Sequence, residues 1–172
     1  MNAAAGLVVT PDVVLLDELD AGEVAALVAA YGARLERRPP GTAIPGSYWG
    51  ESEAGLVGST VYVRGDTPAH SLLHELCHFI CMDDARRATL VTDAGGTDDE
   101  ECGVCYLQVL LADRLTRFGR DRCVRDMDAW GYSFREGSVR AWLAGDGAFA
   151  GEWLERAGLI DAAGAPTFRR RR

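Results

Sequence analysis

The segment His74-Glu75-Leu76-Cys77-His78 lies in an apolar stretch that favours a helix, and the predicted fold is arranged around that helix. Two histidines four residues apart on a helix project from the same face, so both imidazoles can reach one metal ion. Glu75 points about 100° round the helix from His74, where its carboxylate can act as a base without being a ligand. The pattern is H-E-x-x-H, which indicates a zinc site with an activated water.

A strand is predicted immediately before this helix. Residues 56–64 are rich in β-branched side chains and alternate in their second half, which is typical of a strand. The helix itself is predicted over residues 68–82, with Thr67 as its N-cap and Pro68 at its first position. Apolar residues cover most of this helix, so we expect it to be largely buried.

A second buried helix is predicted further along the chain. Thr97-Asp98-Asp99-Glu100 matches the capping-box pattern, and the residues that follow are nearly all apolar up to about position 115. Further helices are predicted over residues 21–37, 121–130, 139–143 and 149–159. The resulting class is α+β, with a small twisted sheet packed on two buried helices and a helical C-terminal part.

Length and charge restrict the domain organisation and the partners. The 172 residues predict one domain over residues 1–160, followed by an Arg-rich mobile tail at 161–172. A net charge of −8 argues against a nucleic-acid partner or an anionic membrane surface, and no uninterrupted apolar stretch is long enough to span a membrane. Residues 1–10 lack the basic start of a signal peptide, so we expect a cytoplasmic protein with reduced cysteines.

A catalytic zinc needs a third protein ligand, which has to come from outside the motif. No histidine lies downstream of His78, so a carboxylate at the start of the second helix is the remaining common solution. Glu100 is preferred because its side of the helix is more apolar, and Gly103 on that side would let the two helices approach closely. Glu101 stays open as the alternative. A purely structural interpretation is that these acids cap the helix and complement its dipole.

With these residues the chain resembles the gluzincin metallopeptidases, and its small layout is similar to the minimal gluzincins that include the ImmA/IrrE-like group. The motif, the strand before it and the helix beginning Glu100-Glu101 carry the resemblance, over about residues 55–113. The resemblance implies a zincin-like fold and one Zn2+ ion held by His74, His78 and either Glu100 or Glu101. It also implies that Glu75 is the general base.

The predicted function is zinc-dependent hydrolysis of peptide bonds in a peptide or protein substrate. Tyr132 is the candidate donor to the developing oxyanion, and the strand at 56–64 would align an extended peptide if it forms a sheet edge. The alternative is a non-catalytic zinc module that binds a partner protein. The motif favours the enzyme, because a structural site has no need of Glu75. Cys102 and Cys105 are expected to be buried as small apolar side chains.

Overall fold

A computed structural model describes residues 11–47, 50–91 and 93–172. Within these ranges it contains a three-stranded mixed sheet and seven α-helices, which confirms the predicted α+β class. The prediction on a signal peptide concerns residues 1–10, which lie outside the described ranges. After a short 3-10 helix (Leu16–Glu18) the elements are α1 (Ala21–Ala30), β1 (Arg34–Arg37), β2 (Gly55–Val57), β3 (Thr60–Val63), α2 (Ala69–Cys81), α3 (Asp84–Thr89), α4 (Asp98–Ala112), α5 (Gly119–Trp130), α6 (Val139–Ala144) and α7 (Gly147–Arg156).

The first helix is shorter than the predicted range of residues 21–37. Asp20 caps α1 by accepting hydrogen bonds from the amides of Gly22 and Glu23, but α1 ends at Ala30. Gly32 then adopts a φ of +73°, a left-handed conformation that turns the chain out of the helix. The rest of the predicted helix forms β1, which pairs in parallel with β3.

The predicted strand at 56–64 is two strands joined by a tight turn. Gly58, with a φ of +57°, lies between β2 and β3, and the two strands pair antiparallel. β3 is the central strand, and its side chains at Val61 and Val63 are fully buried. Both β2 and β3 contact α2, so the sheet forms one wall of the core around that helix.

The edge strand β2 is covered by the chain itself. A Cβ on Gly46 would lie 2.7 Å from the carbonyl oxygen of Leu56 and 2.9 Å from its amide nitrogen, so the two backbones are in direct contact. A Cβ on Gly55 would likewise meet the carbonyl of Pro45. An extended peptide therefore cannot pair with β2 at Leu56 as proposed, because the chain itself already contacts that backbone.

The central helix α2 is almost entirely buried. It begins one residue later than predicted, with Pro68 as its N-cap, while the Thr67 hydroxyl accepts a hydrogen bond from the Arg64 amide. Within Ala69–Cys81 every residue is buried except His74 and Glu75. The helix therefore reaches the surface only at the two residues that begin the motif. No described helix is long and apolar enough to cross a lipid bilayer.

The second central helix, α4, packs between α2 and α7. Thr97 is its N-cap, as predicted, and accepts a hydrogen bond from the Glu100 amide at 3.2 Å. Gly103 does not serve the approach of α4 to α2. A Cβ at this position would lie 2.7 Å from the ring of Trp153, so the glycine makes room for that tryptophan on α7.

Residues 168–172, part of the predicted mobile tail, contact the buried helices. The Arg171 amide donates to the carbonyl of Ile80 at 2.9 Å, and the Arg171 guanidinium bonds to Glu100 at the same distance. Phe168 packs against Tyr31 with ring centroids 5.5 Å apart. The last carbonyls of α2 have no partner within the helix, so donors from this segment satisfy them.

Candidate metal centre

The two motif histidines converge on a single carboxylate. The Nε2 atoms of His74 and His78 lie 3.1 Å apart, one turn from each other on α2. Glu101, in the first turn of α4, places one oxygen 3.4 Å from His74 Nε2 and the other 3.4 Å from His78 Nε2. Three potential ligand groups from two helices, two imidazoles and one carboxylate, thus form a small triangle.

The size of this triangle fits a tetrahedral metal ion. Ligand atoms about 2.0–2.1 Å from zinc in a tetrahedral arrangement lie about 3.3 Å from one another. The two imidazole nitrogens are 3.1 Å apart, and each lies 3.4 Å from a different oxygen of Glu101. The side chains of His74, His78 and Glu101 therefore need little rearrangement to hold such an ion.

Glu100, the preferred third ligand, points elsewhere. Its two carboxylate oxygens each accept a hydrogen bond from Arg86 at 2.8 Å, and one also accepts from Arg171 at 2.9 Å. Its side chain is 4% exposed, against 49% for Glu101. The preference for Glu100 is therefore corrected in favour of Glu101. The apolar side of α4 does face the core, but the acid on that side is neutralised by arginines.

Gln108 orients the first histidine. Its Nε2 atom donates to the backbone carbonyl of His70 at 3.2 Å, because an amide nitrogen can only donate. Its Oε1 atom must then accept from His74 Nδ1, 2.9 Å away. This arrangement places the proton of His74 on Nδ1 and leaves the Nε2 lone pair directed at the triangle. Gln108 was not foreseen from the sequence, although it is the only amide side chain on a helix that is largely apolar after its acidic first turn.

His78 is also uncharged. Burial, followed by the charges of His74 and Arg86, holds the pKa of His78 well below its ordinary value. Its Nδ1 atom is buried without a hydrogen-bond partner. The imidazole is therefore neutral, with Nε2 facing His74 and Glu101.

Cys105 lies beside the same atoms, one turn after Glu101. The ligand atoms of His74, Glu101 and Cys105 lie within 4.8 Å of one another, a cluster that can hold a metal ion. Burial, followed by the charge of Glu101, raises the pKa of the Cys105 thiol well above its ordinary value. The expectation that Cys105 is buried holds, but its position beside the histidines was not foreseen.

Glu75 lines the cleft next to the triangle. Burial raises the pKa of Glu75 to about 8, and the charges of Glu53 and Glu101 add to the effect. Glu53 precedes β2 and accepts a hydrogen bond from the indole of Trp130 at 2.6 Å. Glu53 was not foreseen from the sequence, because it lies in a loop that only the fold brings to the site.

Tyr132 lines the same cleft. Its ring meets that of His74 edge-on with centroids 5.7 Å apart, and its hydroxyl lies 3.4 Å from His70 Nδ1. Burial raises the pKa of Tyr132 well above its ordinary value, so the hydroxyl keeps its proton and can donate it in a hydrogen bond. The structure thus brings Tyr132 to the predicted place.

These groups open into one cleft of about 740 Å3. Its floor is the exposed part of α2 and its walls are the segment before α4, Glu53 and residues 130–132. The acidic side chains that line it are Glu53, Glu75, Asp93, Asp98 and Glu101. Comparison of the chain with protein-family models, curated proteins and solved structures gives no match.

Proposed function

We propose that this protein is a zinc-dependent metallopeptidase of the gluzincin type with a zincin-like fold. His74, His78 and Glu101 hold one Zn2+ ion, and Glu75 is the general base. The observation that carries the proposal is the triangle of His74, His78 and Glu101, whose facing atoms lie 3.1 to 3.4 Å apart, with Glu75 beside it in an open cleft. The substrate is a peptide or protein.

The residues of the chain divide the chemistry between them. Zinc, when bound, supplies Lewis acidity and lowers the pKa of water. Glu75 takes a proton from the attacking water and delivers it to the nitrogen of the departing amine. Tyr132 donates a hydrogen bond to the carbonyl oxygen as negative charge develops there.

Glu75→Gln tests this mechanism. The amide fills the same space but cannot accept a proton, so we expect hydrolysis of a fluorogenic peptide library to fall by about 100-fold or more. Zinc content, measured by elemental analysis, should stay at one ion per chain because Glu75 is not a ligand. Wild-type protein treated with a chelator provides the control. Activity retained in the variant, or undiminished by the chelator, would contradict the mechanism.

One observation favours a second candidate function, a non-catalytic zinc module that binds a partner protein. Cys105 is close enough to His74 and Glu101 to act as a fourth ligand and leave no open position. Cobalt substitution separates the two cases, because a thiolate ligand gives an intense charge-transfer band. For the peptidase we expect no such band, and full activity in Cys105→Ser. If the cobalt-loaded wild type shows the band, Cys105→Ser removes it and the wild type does not hydrolyse peptides, the non-catalytic module is supported.

The proposed location is the cytoplasm. All five cysteines are free, which fits a compartment that keeps thiols reduced.

A further inference from the structure

A second cavity adjoins the cleft that contains His74, His78 and Glu101, which we call the metal cleft. It has a volume of about 620 Å3 and lies between the start of α4, the segment after α5, and α6 and α7. Asp98, Glu101 and Tyr132 line both cavities, so the second cavity lies directly beside the carboxylate proposed to bind the metal. We call it the side cavity. Its walls at residues 133–150 lie outside the stretch that carries the gluzincin resemblance.

The deep wall of the side cavity is aromatic. Phe134 stacks on Trp142 with ring centroids 4.5 Å apart and an angle of 22° between the planes. Phe149 lies at the cavity with 70% of its surface exposed, although it is one of the largest apolar side chains in the protein. An exposed phenylalanine beside two stacked aromatic rings offers burial to an incoming apolar group.

The charged side chains around both cavities are almost all acidic. Asp98, Asp99 and Glu136 line the side cavity, and Glu53 and Asp93 line the metal cleft. Among the described residues that line either cavity the one arginine is Arg135, which is ion-paired with Asp146. A divalent ion would offset Glu101 and Glu75, but it would leave these other acids uncompensated. The entrance therefore attracts cations.

We infer that the side cavity selects the substrate: a peptide that places a bulky aromatic or aliphatic side chain against Phe134 and Phe149, flanked by arginine or lysine. This inference rests on the proposed function. The apolar ring is buried on the aromatic wall, and the flanking cations meet Asp98, Asp99 and Glu136 at the rim. An acidic or small polar peptide gains neither contribution.

Four blocked fluorogenic peptides of equal length test the inference. They combine Phe or Ser at the central position with Arg or Asp on both sides. Cleavage is measured as kcat/KM, and binding is measured by fluorescence anisotropy on zinc-loaded Glu75→Gln, which does not depend on hydrolysis. We expect the Arg-flanked Phe peptide to exceed each of the others by about 10-fold or more. Its advantage over the Asp-flanked peptide should shrink at high salt.

Variants locate the selectivity. The double substitution Asp98→Asn with Asp99→Asn should reduce the preference for Arg over Asp flanks by about 3- to 10-fold. Glu155→Gln on α7 removes an exposed acid that lines neither cavity and should leave the preference unchanged. Phe149→Ala should reduce the preference for Phe over Ser by about 5-fold, and Phe149→Leu should restore most of it.

The two measurements keep the inference separate from the proposed function. Hydrolysis of all four peptides at similar rates would overturn the inference and leave the peptidase standing. Selective binding without hydrolysis by the wild type would support the inference and remove the peptidase. If the peptides show neither hydrolysis nor selective binding, the inference is overturned. It is also overturned if the Asp98 and Asp99 substitutions leave the preference for arginine unchanged.

Discussion

Two adjacent glutamates on α4 have different surroundings because they point about 100° apart. Glu101 faces the histidines, whereas Glu100 is buried between Arg86 and Arg171. We expect Glu101→Ala to lose zinc while the protein stays folded. Glu100→Ala should keep zinc but lower the free energy of unfolding by about 2 kcal/mol, a value reduced because both arginines are partly exposed.

Elemental analysis of each purified variant, together with urea denaturation followed by circular dichroism, separates the two roles. Folded Glu100→Ala without zinc, beside zinc-loaded Glu101→Ala, would reverse the assignment.

The sequence restricts the third ligand to Glu100 or Glu101, because an H-E-x-x-H site needs a nearby carboxylate. The apolar pattern favoured Glu100, because it could not show that arginines from α3 and from residue 171, far apart in the chain, bind that carboxylate.

Gln108 acts at the same scale through the tautomer of His74. Gln108→Leu removes the acceptor for the Nδ1 proton, so we expect zinc affinity to fall by about 10- to 100-fold. Gln108→Glu keeps an acceptor at that place and should retain more of the affinity than the leucine variant. Competition with a chromophoric chelator measures both constants. Equal affinities in Gln108→Leu and the wild type would show that the hydrogen bond at 2.9 Å does not position the ligand.

At the scale of elements, the contact of α4 with α7 depends on a glycine. A Cβ at Gly103 would lie 2.7 Å from the Trp153 ring, so Gly103→Ala must displace that ring. We expect this substitution to lower the free energy of unfolding by about 1 kcal/mol, although alanine favours the helix. Gly151 on α7 is the matched control, because its Cβ would meet Tyr106 at an ordinary 3.6 Å.

Gly151→Ala should therefore raise the free energy of unfolding by about 0.5–1 kcal/mol. Urea denaturation of the two variants compares them directly. If both substitutions stabilise the protein, Trp153 moves freely and the close contact is unimportant. If both destabilise it, the cause lies in the helices rather than in the contact at Trp153.

The elements that the sequence predicted well are helices with a recurring apolar face. α2, α4, α5, α6 and α7 each differ from the prediction by about three residues or fewer at either end. β1 was lost because four residues, Arg34–Arg37, are too few to show an alternating pattern, and parallel pairing with β3 decides their conformation. The turn at Gly58 was missed because both strands beside it share the same apolar composition.

Across the whole molecule, distant parts of the chain meet at the C-terminal end of α2. The backbone carbonyl of Arg171 accepts from Arg87, its amide donates to Ile80, and Arg170 lies over the Phe79 ring at 5.2 Å. Composition favoured a mobile tail because four consecutive arginines are usually solvated. The partners of Arg170 and Arg171 are carbonyls, aromatic rings and Glu100, which come together only once the helices have packed, so no local pattern could reveal them.

Stability against acid is also a property of the whole fold, because it depends on groups buried by several elements at once. His70 is buried among Trp130 and Tyr132, and its Nε2 atom has no partner. Burial, helped by the charge of His74, lowers the pKa of His70 from 6.5 to about 3. The unfolded chain binds this proton at a higher pH than the native state does. The part of the free energy of unfolding that depends on His70 is therefore fully present above about pH 6.5 and is lost as the pH falls toward 3.

His70→Gln removes this titration and keeps a polar side chain of similar length. In the metal-free protein we expect the slope of the free energy of unfolding against pH, between pH 6 and 4, to fall by up to about 1.4 kcal/mol per pH unit. Urea titrations at successive pH values in the presence of a chelator measure the slope. The carboxylates and His78 contribute equally to the wild type and the variant, so the difference reports His70 alone. Equal slopes would mean that His70 is protonated in the fold, and that water or a rearranged Tyr132 reaches a ring that the structure shows enclosed.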